Sequence, residues 1–206
     1  MRSYKTDAII VKRRNFGEAD RVLTVLTKNY GKIQVRAPGV RRIVSRRSSH
    51  IELLNLSTLT LYKSFRASIP IVTEAQAQEE FLTIKNNLKK IGLAYYICEL
   101  IDRLCADNQE NRKIFFLAKD TLFALCHAEL VSASRKIPKQ VRDDNEYVTS
   151  SIVSDFEEEL LVSLGFLQKQ HRLMDKRSFI ENILERKLTT KRLLPLFTES
   201  DSVFTS

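Results

Sequence analysis

Five arginines fall within twelve residues, from Arg36 to Arg47 (RAPGVRRIVSRR), and no acid interrupts them. Guanidinium groups this close repel one another unless an anion neutralises them, and each can grip a phosphate through two parallel hydrogen bonds. Arg41 and Arg42 follow the loop signal Pro38-Gly39, and Arg46 and Arg47 follow Ser45. Val40, Ile43 and Val44 are too few and too irregular for an amphipathic helix. The stretch therefore reads as a loop that ties down phosphates. A charge run is more often a solvated face, so the rest of the chain has to decide between the two meanings.

Other reactive residue types are present without the spacing that chemistry needs. Glu18 and Asp20, in the run GEAD, are better read as partners that orient Arg13, Arg14 and Arg21 than as a catalytic pair. His50, His127 and His171 lack metal-ligand spacing, and no phosphate-cradling GxxxxGK[ST] occurs. Cys98, Cys105 and Cys126 form no CxxC pair, which argues against a zinc site or a disulfide framework. A nuclease would need clustered acids to hold metal, and the basic half offers none. The expectation is a protein without catalytic residues, metal or cofactor.

The charge balance favours the phosphate reading. Residues 1–70 carry 15 Lys/Arg against 4 Asp/Glu, whereas residues 71–206 are close to neutral, for a total of +9. A basic front on a neutral back is the footprint of a polyanion binder. An anionic membrane would suit the charge equally well. However, no apolar run approaches the length of a membrane span, and the basic half contains no basic amphipathic helix. The opening MRSYKTDAII lacks a secretory signal, and the odd cysteine count suits a reducing compartment, so a cytoplasmic protein is expected.

These residues need a scaffold, and the hydrophobic periods supply one. Tyr4–Lys12 reads as a strand, Arg13–Asp20 as a loop, and Arg21–Lys28 as a second strand before the turn Asn29-Tyr30-Gly31. Residues 32–37 alternate, with Ile33, Val35 and Ala37 on one face and Lys32, Gln34 and Arg36 on the other. Ile51–Tyr62 is a fourth strand. Ala67–Thr73 is a fifth, with Pro70 marking an edge or a bulge. Five short strands with no room for a parallel crossover predict a small antiparallel barrel of OB type, hence an α+β chain with an OB-fold domain over 1–75 and a helical domain over 76–206.

From Ala75 the period becomes helical. Stripes run through Phe81, Ile84, Leu88 and Ile91, then, after a break at Gly92, through Leu93 to Leu104, and through Ile114 to Leu125. Residues 129–146 contain Pro138 and no apolar period, and read as a mobile surface insert. Val148, Ile152, Phe156, Leu160 and Leu164 mark a helix that Gly165 ends. A last helix starts at Ser178, in a capping box with Glu181, and buries Phe179, Ile183 and Leu184. The tail frays after Pro195.

The run YKTDAIIVKRRNFGEADRVLTVLTKNYGKIQVRAPGVRR, followed by LTLYKSFR and AYYICELIDRL, resembles the RecO family of bacterial DNA repair proteins. The likeness covers roughly residues 1 to 125, and the combination of GEADR, TxxxGK and GVRR carries it. The resemblance implies an OB-type barrel with a helical domain, binding of single- and double-stranded DNA, and annealing of complementary strands. It also implies pairing with RecR, contact with the acidic tail of single-strand binding protein, and thereby loading of RecA. Three departures stand out. Many members carry four zinc cysteines after the LLxxLGF helix, whereas Leu167 to Asp175 contains none. Pro38 stands where the family usually has a basic residue, and Ser64 where it has a glycine.

The expected DNA track is Lys12, Arg13, Arg14, Lys32, Arg36, Arg41, Arg42, Arg46, Arg47 and Arg66. Phe65 is the best of the stacking candidates Phe16, Tyr30, Tyr62 and Phe65. A cationic surface that holds two strands lowers their mutual repulsion and leaves the pairing edges free. Lys85, Lys89, Lys90, Arg103, Arg112 and Lys113 form the expected basic remainder for protein partners. Two alternatives stay open on the residues alone: an OB-fold RNA-binding module, or a helical adaptor with an incidental basic surface.

Overall fold

A β-bulge in the first strand decides which side chains reach the outside of the barrel. In the computed structural model, which describes residues 2–128, 144–168, 176–185 and 187–190, β1 (Arg2–Phe16) pairs antiparallel with β2 (Asp20–Thr27). Ile10 lies opposite Val25 and Lys12 opposite Thr24, so Val11 is the extra residue. Val25 and Leu23 point into the core, so Thr24 and Val22 point the other way. Without the extra residue, Lys12 and Arg14 would fall on the core face, because a one-residue slip inverts every side chain.

β3 (Gly31–Ala37), β4 (Leu56–Lys63) and β5 (Ile71–Glu79) complete a closed barrel in the order β1-β2-β3-β5-β4. All its pairings are antiparallel except that of β3 with β5, where Arg36 meets Ile71. This is the OB-type arrangement. The core is built from alternate residues, including Ala8, Ile10, Leu23, Val25, Ile33, Val35, Leu59, Leu61 and Val72, and Val40 and Ile51 plug it from the loop after β3.

Several boundaries differ from those expected. The segment read as a loop, Arg13 to Phe16, is strand, since it pairs with β2 as far as Phe16 opposite Asp20. The fourth strand starts at Leu56, not Ile51. Ser49–Ile51 is a 3-10 turn, and Leu54 has φ 71° while its N–H reaches the Ile10 carbonyl at 2.9 Å. β5 begins after Pro70 and runs to Glu79, past the expected helical start at Ala75, because pairing with β4 overrides the helix preference of AQAQE. Pro70 accepts the Arg36 N–H at 2.9 Å just before β5 begins.

The chain divides into two compact units, residues 1–80 with 100–116, and residues 81–99 with 117–206. The helices are α1 (Leu82–Lys85), α2 (Leu88–Leu104), α3 (Arg112–Cys126), α4 (Asp144–Ser163) and α5 (Lys176–Leu184). In the first unit, the segment after α2 adds a bridge between Asp107 and Lys32, and the Asn108 N–H donates to the Lys32 carbonyl at 2.7 Å.

In the second unit, Phe81 meets Phe123 edge-on at 5.1 Å, and the buried Tyr96 hydroxyl donates to Glu157 at 2.6 Å. Gly92 does not break a helix; it lies inside α2. Gly165 does end α4, at φ 81°, with the Phe166 N–H reaching back to the Leu161 carbonyl. α5 starts at Lys176, so Ser178 is no cap, and Glu181 accepts the Leu188 N–H at 3.3 Å. Ile180 is its buried residue, while Phe179, Ile183 and Leu184 are half-buried. The expected insert at 129–146 lies outside the described residues as far as 143, and the expected tail after Pro195 lies wholly outside them. Among the described residues, no helix is long and apolar enough to cross a membrane.

Candidate nucleic-acid interface

The strand register writes rows across the outer face of β1, β2 and β3. Lys12, Thr24 and Gln34 form one row; Arg14, Val22 and Arg36 form the next; Phe16 and Asp20 end the face. The row before these, Ile9, Leu26 and Lys32, is buried. Lys32 therefore leaves the expected DNA track. It is only 6% exposed, pairs with Asp107 at 3.2 Å and donates to the Asp102 carbonyl. A buried ammonium needs such partners, and these lie some 70 residues away along the chain.

At the open end of the face, Arg36 lies over the Phe16 ring at 5.2 Å and bonds Asp20 at 2.8 and 2.6 Å. Asp20 also accepts the Gly39 N–H at 2.8 Å. That backbone bond, followed by Arg36, holds the Asp20 carboxyl below its ordinary pKa. One carboxylate thus ties the strand arginine to the root of the arginine loop. Gly39 is at φ 69°, a conformation glycine adopts without a Cβ clash.

The loop itself is pinned at both ends. The Arg41 N–H donates to the Ala19 carbonyl at 2.9 Å, and its guanidinium to the Gly17 carbonyl at 3.1 Å. Arg47 donates to the carbonyls of Val72, Pro38 and Thr73 at 2.6, 2.8 and 3.3 Å. Arg47 is thus a clamp that joins the loop to β5 as well as a charge. Arg42 and Arg46 are exposed and make no ion pair among the described residues. With Arg36 and Arg47 they line an open groove of about 580 Å³.

The remaining cations divide by partner. Lys12 pairs with Asp102 at 2.6 Å. Glu52 bridges Arg13 and Arg21, the second at 3.0 Å. The acids expected to orient Arg13 and Arg21 were Glu18 and Asp20; Glu52 holds both arginines instead. Neither Glu52 nor Asp102 is near its partner in sequence, so only the folded chain brings them together. Arg14 and Arg66 are exposed, with no ion pair among the described residues.

Of the aromatic candidates, Phe65 is 98% exposed in the loop between β4 and β5. Tyr30 meets Tyr4 in a tilted ring contact at 4.6 Å and packs against the barrel core, so it is no platform. Tyr62 is half-buried. Phe16 is 47% exposed, with Arg36 over its ring.

The expected partner-binding cations do not form one set. Lys85, Lys89 and Lys90 belong to the second unit, and Arg103, Arg112 and Lys113 to the first. Lys90 is 5% exposed and therefore unavailable to a surface ligand. Arg112 pairs with Glu110 at 2.9 Å. Among the described residues, no cluster of His, Cys, Asp and Glu could hold a metal ion.

Residues 1–81 match the family model for the recombination protein O N terminal, and residues 85–135 that for its C terminal. The DNA repair protein RecO of Roseiflexus sp. (strain RS-1) is 40% identical over 124 residues, 60% of this chain and 43% of that protein. That of Dehalococcoides mccartyi (strain CBDB1) is 39% identical over 119 residues, 58% of this chain and 46% of the relative. That of Pelotomaculum thermopropionicum is 29% identical over 141 residues, covering 68% and 54%. The chain thus spans about half the length of the curated relatives it matches. With both family models matched in order across the barrel and the helices that follow, this chain belongs to the recombination protein O (RecO) family.

Proposed function

We propose that this chain binds single- and double-stranded DNA on the outer face of β1–β3 and the arginine loop, and anneals complementary strands in DNA repair. One observation carries the reading. Arg14 and Arg36 share a row on a bulge-defined outer face, and that face runs into a pinned loop on which Arg42 and Arg46 are exposed and make no ion pair among the described residues. Phosphate oxygens suit these guanidiniums, and no residue nearby is arranged to make or break a bond. Phe65 offers its ring to bases, and Arg66 adds charge beside it.

Annealing then needs no chemistry. The cations hold two strands at once and screen their repulsion, while contacts confined to the backbone leave the base edges free. Lys12 and Arg36 take part only by exchanging a carboxylate for a phosphate, whereas Arg13, opposite Leu23, lies on the other side of β1. RecR, the acidic tail of single-strand binding protein and, indirectly, RecA are the proposed partners, by likeness to the family, with cytoplasm as the compartment. Lys85, Lys89, Arg103, Arg112 and Lys113 remain the candidates for acidic partners.

The test is binding of one sequence as single-stranded DNA, duplex DNA and RNA over a salt series, with a strand-annealing assay alongside. Salt-sensitive DNA binding together with accelerated annealing is expected. Preference for RNA would favour the RNA-binding alternative, and an unchanged affinity after Arg42→Glu/Arg46→Glu would favour a helical adaptor.

A further inference from the structure

The three apolar residues of the arginine loop are used in two different ways. Val40 is buried in the barrel core and fixes the root of the loop. Ile43 is fully exposed and Val44 is 85% exposed. They are the central pair of a turn closed by the Ser45 N–H, which donates to the Arg42 carbonyl at 2.9 Å. Turn centres favour Gly, Asn, Asp, Ser and Pro. Two β-branched aliphatic side chains there serve no turn chemistry, and they keep apolar surface in water that burial would remove. The root beneath them is held by the Asp20–Gly39 bond, the Arg41–Ala19 bond and the three carbonyl bonds of Arg47. An apolar tip therefore stands on a braced base, with Arg42 directly before it and Arg46 just after.

We propose that Ile43 and Val44 form a wedge that enters between stacked bases of duplex DNA, while Arg42 and Arg46 hold the flanking phosphates. The proposal rests on the DNA-binding reading above and goes beyond it: that reading requires charge alone, whereas a wedge unstacks a base step. Aliphatic side chains inserted at a step open it and kink the duplex, and backbone contacts on either side offset the cost. Two side chains suffice for that task. An anionic lipid surface would match the charge, but interfacial anchoring calls on a longer apolar face than one turn provides.

The test places 2-aminopurine within a duplex and follows its emission, with binding read separately from the anisotropy of an end label. Saturating protein is expected to raise the emission as the base unstacks. Ile43→Ser/Val44→Ser is expected to bind with an unchanged salt slope and lose the rise, while Ile43→Leu/Val44→Leu keeps it. Saturated binding with no rise would overturn the wedge and leave the DNA-binding reading standing. So would a rise that survives the serine substitutions, or binding to phosphatidylglycerol vesicles that depends on the pair while the duplex signal stays flat. Absence of any salt-dependent anisotropy change with DNA would overturn both.

Discussion

Replacing Arg42 and Arg46 by glutamine removes two charges from the loop after β3 without removing an ion pair, because neither has one among the described residues. Each phosphate neutralised on a single strand contributes about −0.7 to the slope of log K against log salt. Losing two contacts should therefore flatten the slope by about 1.4, which at ~0.15 M salt corresponds to roughly fourteenfold weaker binding. Folding stability should change by no more than about 0.5 kcal/mol, as for other exposed sites.

Arg47→Gln is the matched control. It removes one charge but also the bonds to the Val72, Thr73 and Pro38 carbonyls. Stability should fall by ~1–3 kcal/mol, the cost of leaving such acceptors unpaired. Anisotropy titrations of a labelled oligothymidine over a salt series, paired with urea unfolding, read both quantities. If Arg42→Gln/Arg46→Gln leaves the slope unchanged, or if Arg47→Gln leaves stability untouched, the division of the arginines into binders and clamp is wrong.

Three further outcomes follow from particular contacts. Glu52→Gln removes the carboxylate shared by Arg13 and the mostly buried Arg21, so stability should fall by about 1 kcal/mol while the salt slope for single strands stays put, since Arg13 faces away from the outer rows; an unchanged urea unfolding curve would refute the bridge. Gly31→Ala should destabilise the barrel sharply, since Gly31 is at φ 66° and a Cβ there would lie 1.8 Å from the Gln109 carbonyl oxygen; urea unfolding at wild-type stability would refute the close approach. Burial pushes the Cys105 thiol up to about 11, against a smaller lowering by Lys32. At pH 8 it is therefore protonated as well as shielded, and a thiol reagent should modify the half-buried Cys126 first; rapid labelling of Cys105 in the native protein would contradict this.

The barrel was legible because its apolar runs are bounded by turn signals, and the alternation Ile33, Val35, Ala37 survives into the core. The arginine loop was legible from composition. What the sequence could not disclose was set by partners distant in the chain. Lys32 alternates with Gln34 and Arg36 as an outer-face residue should, and only the segment around Asp102 to Asn108 turns it into a buried one. The bulge at Val11 leaves no mark in a run of four apolar residues, although it sets the side on which Lys12 and Arg14 emerge. Arg47 reads like its neighbours but is drawn to carbonyls of β5, 25 residues on. Ala75 to Glu79 reads as helix because its residues favour one, and the free edge of β4 overrules them.

The central claim is that nucleic acid lies on the outer face of β1–β3 and the loop that follows it. Backbone amide shifts of the labelled protein, recorded while oligothymidine is titrated in, test this most directly. Shifts concentrated at Lys12, Arg14, Val22, Arg36 and Gly39 to Arg46 are the predicted result. A titration that moves only amides of α2 to α5 and leaves those residues still would contradict the account.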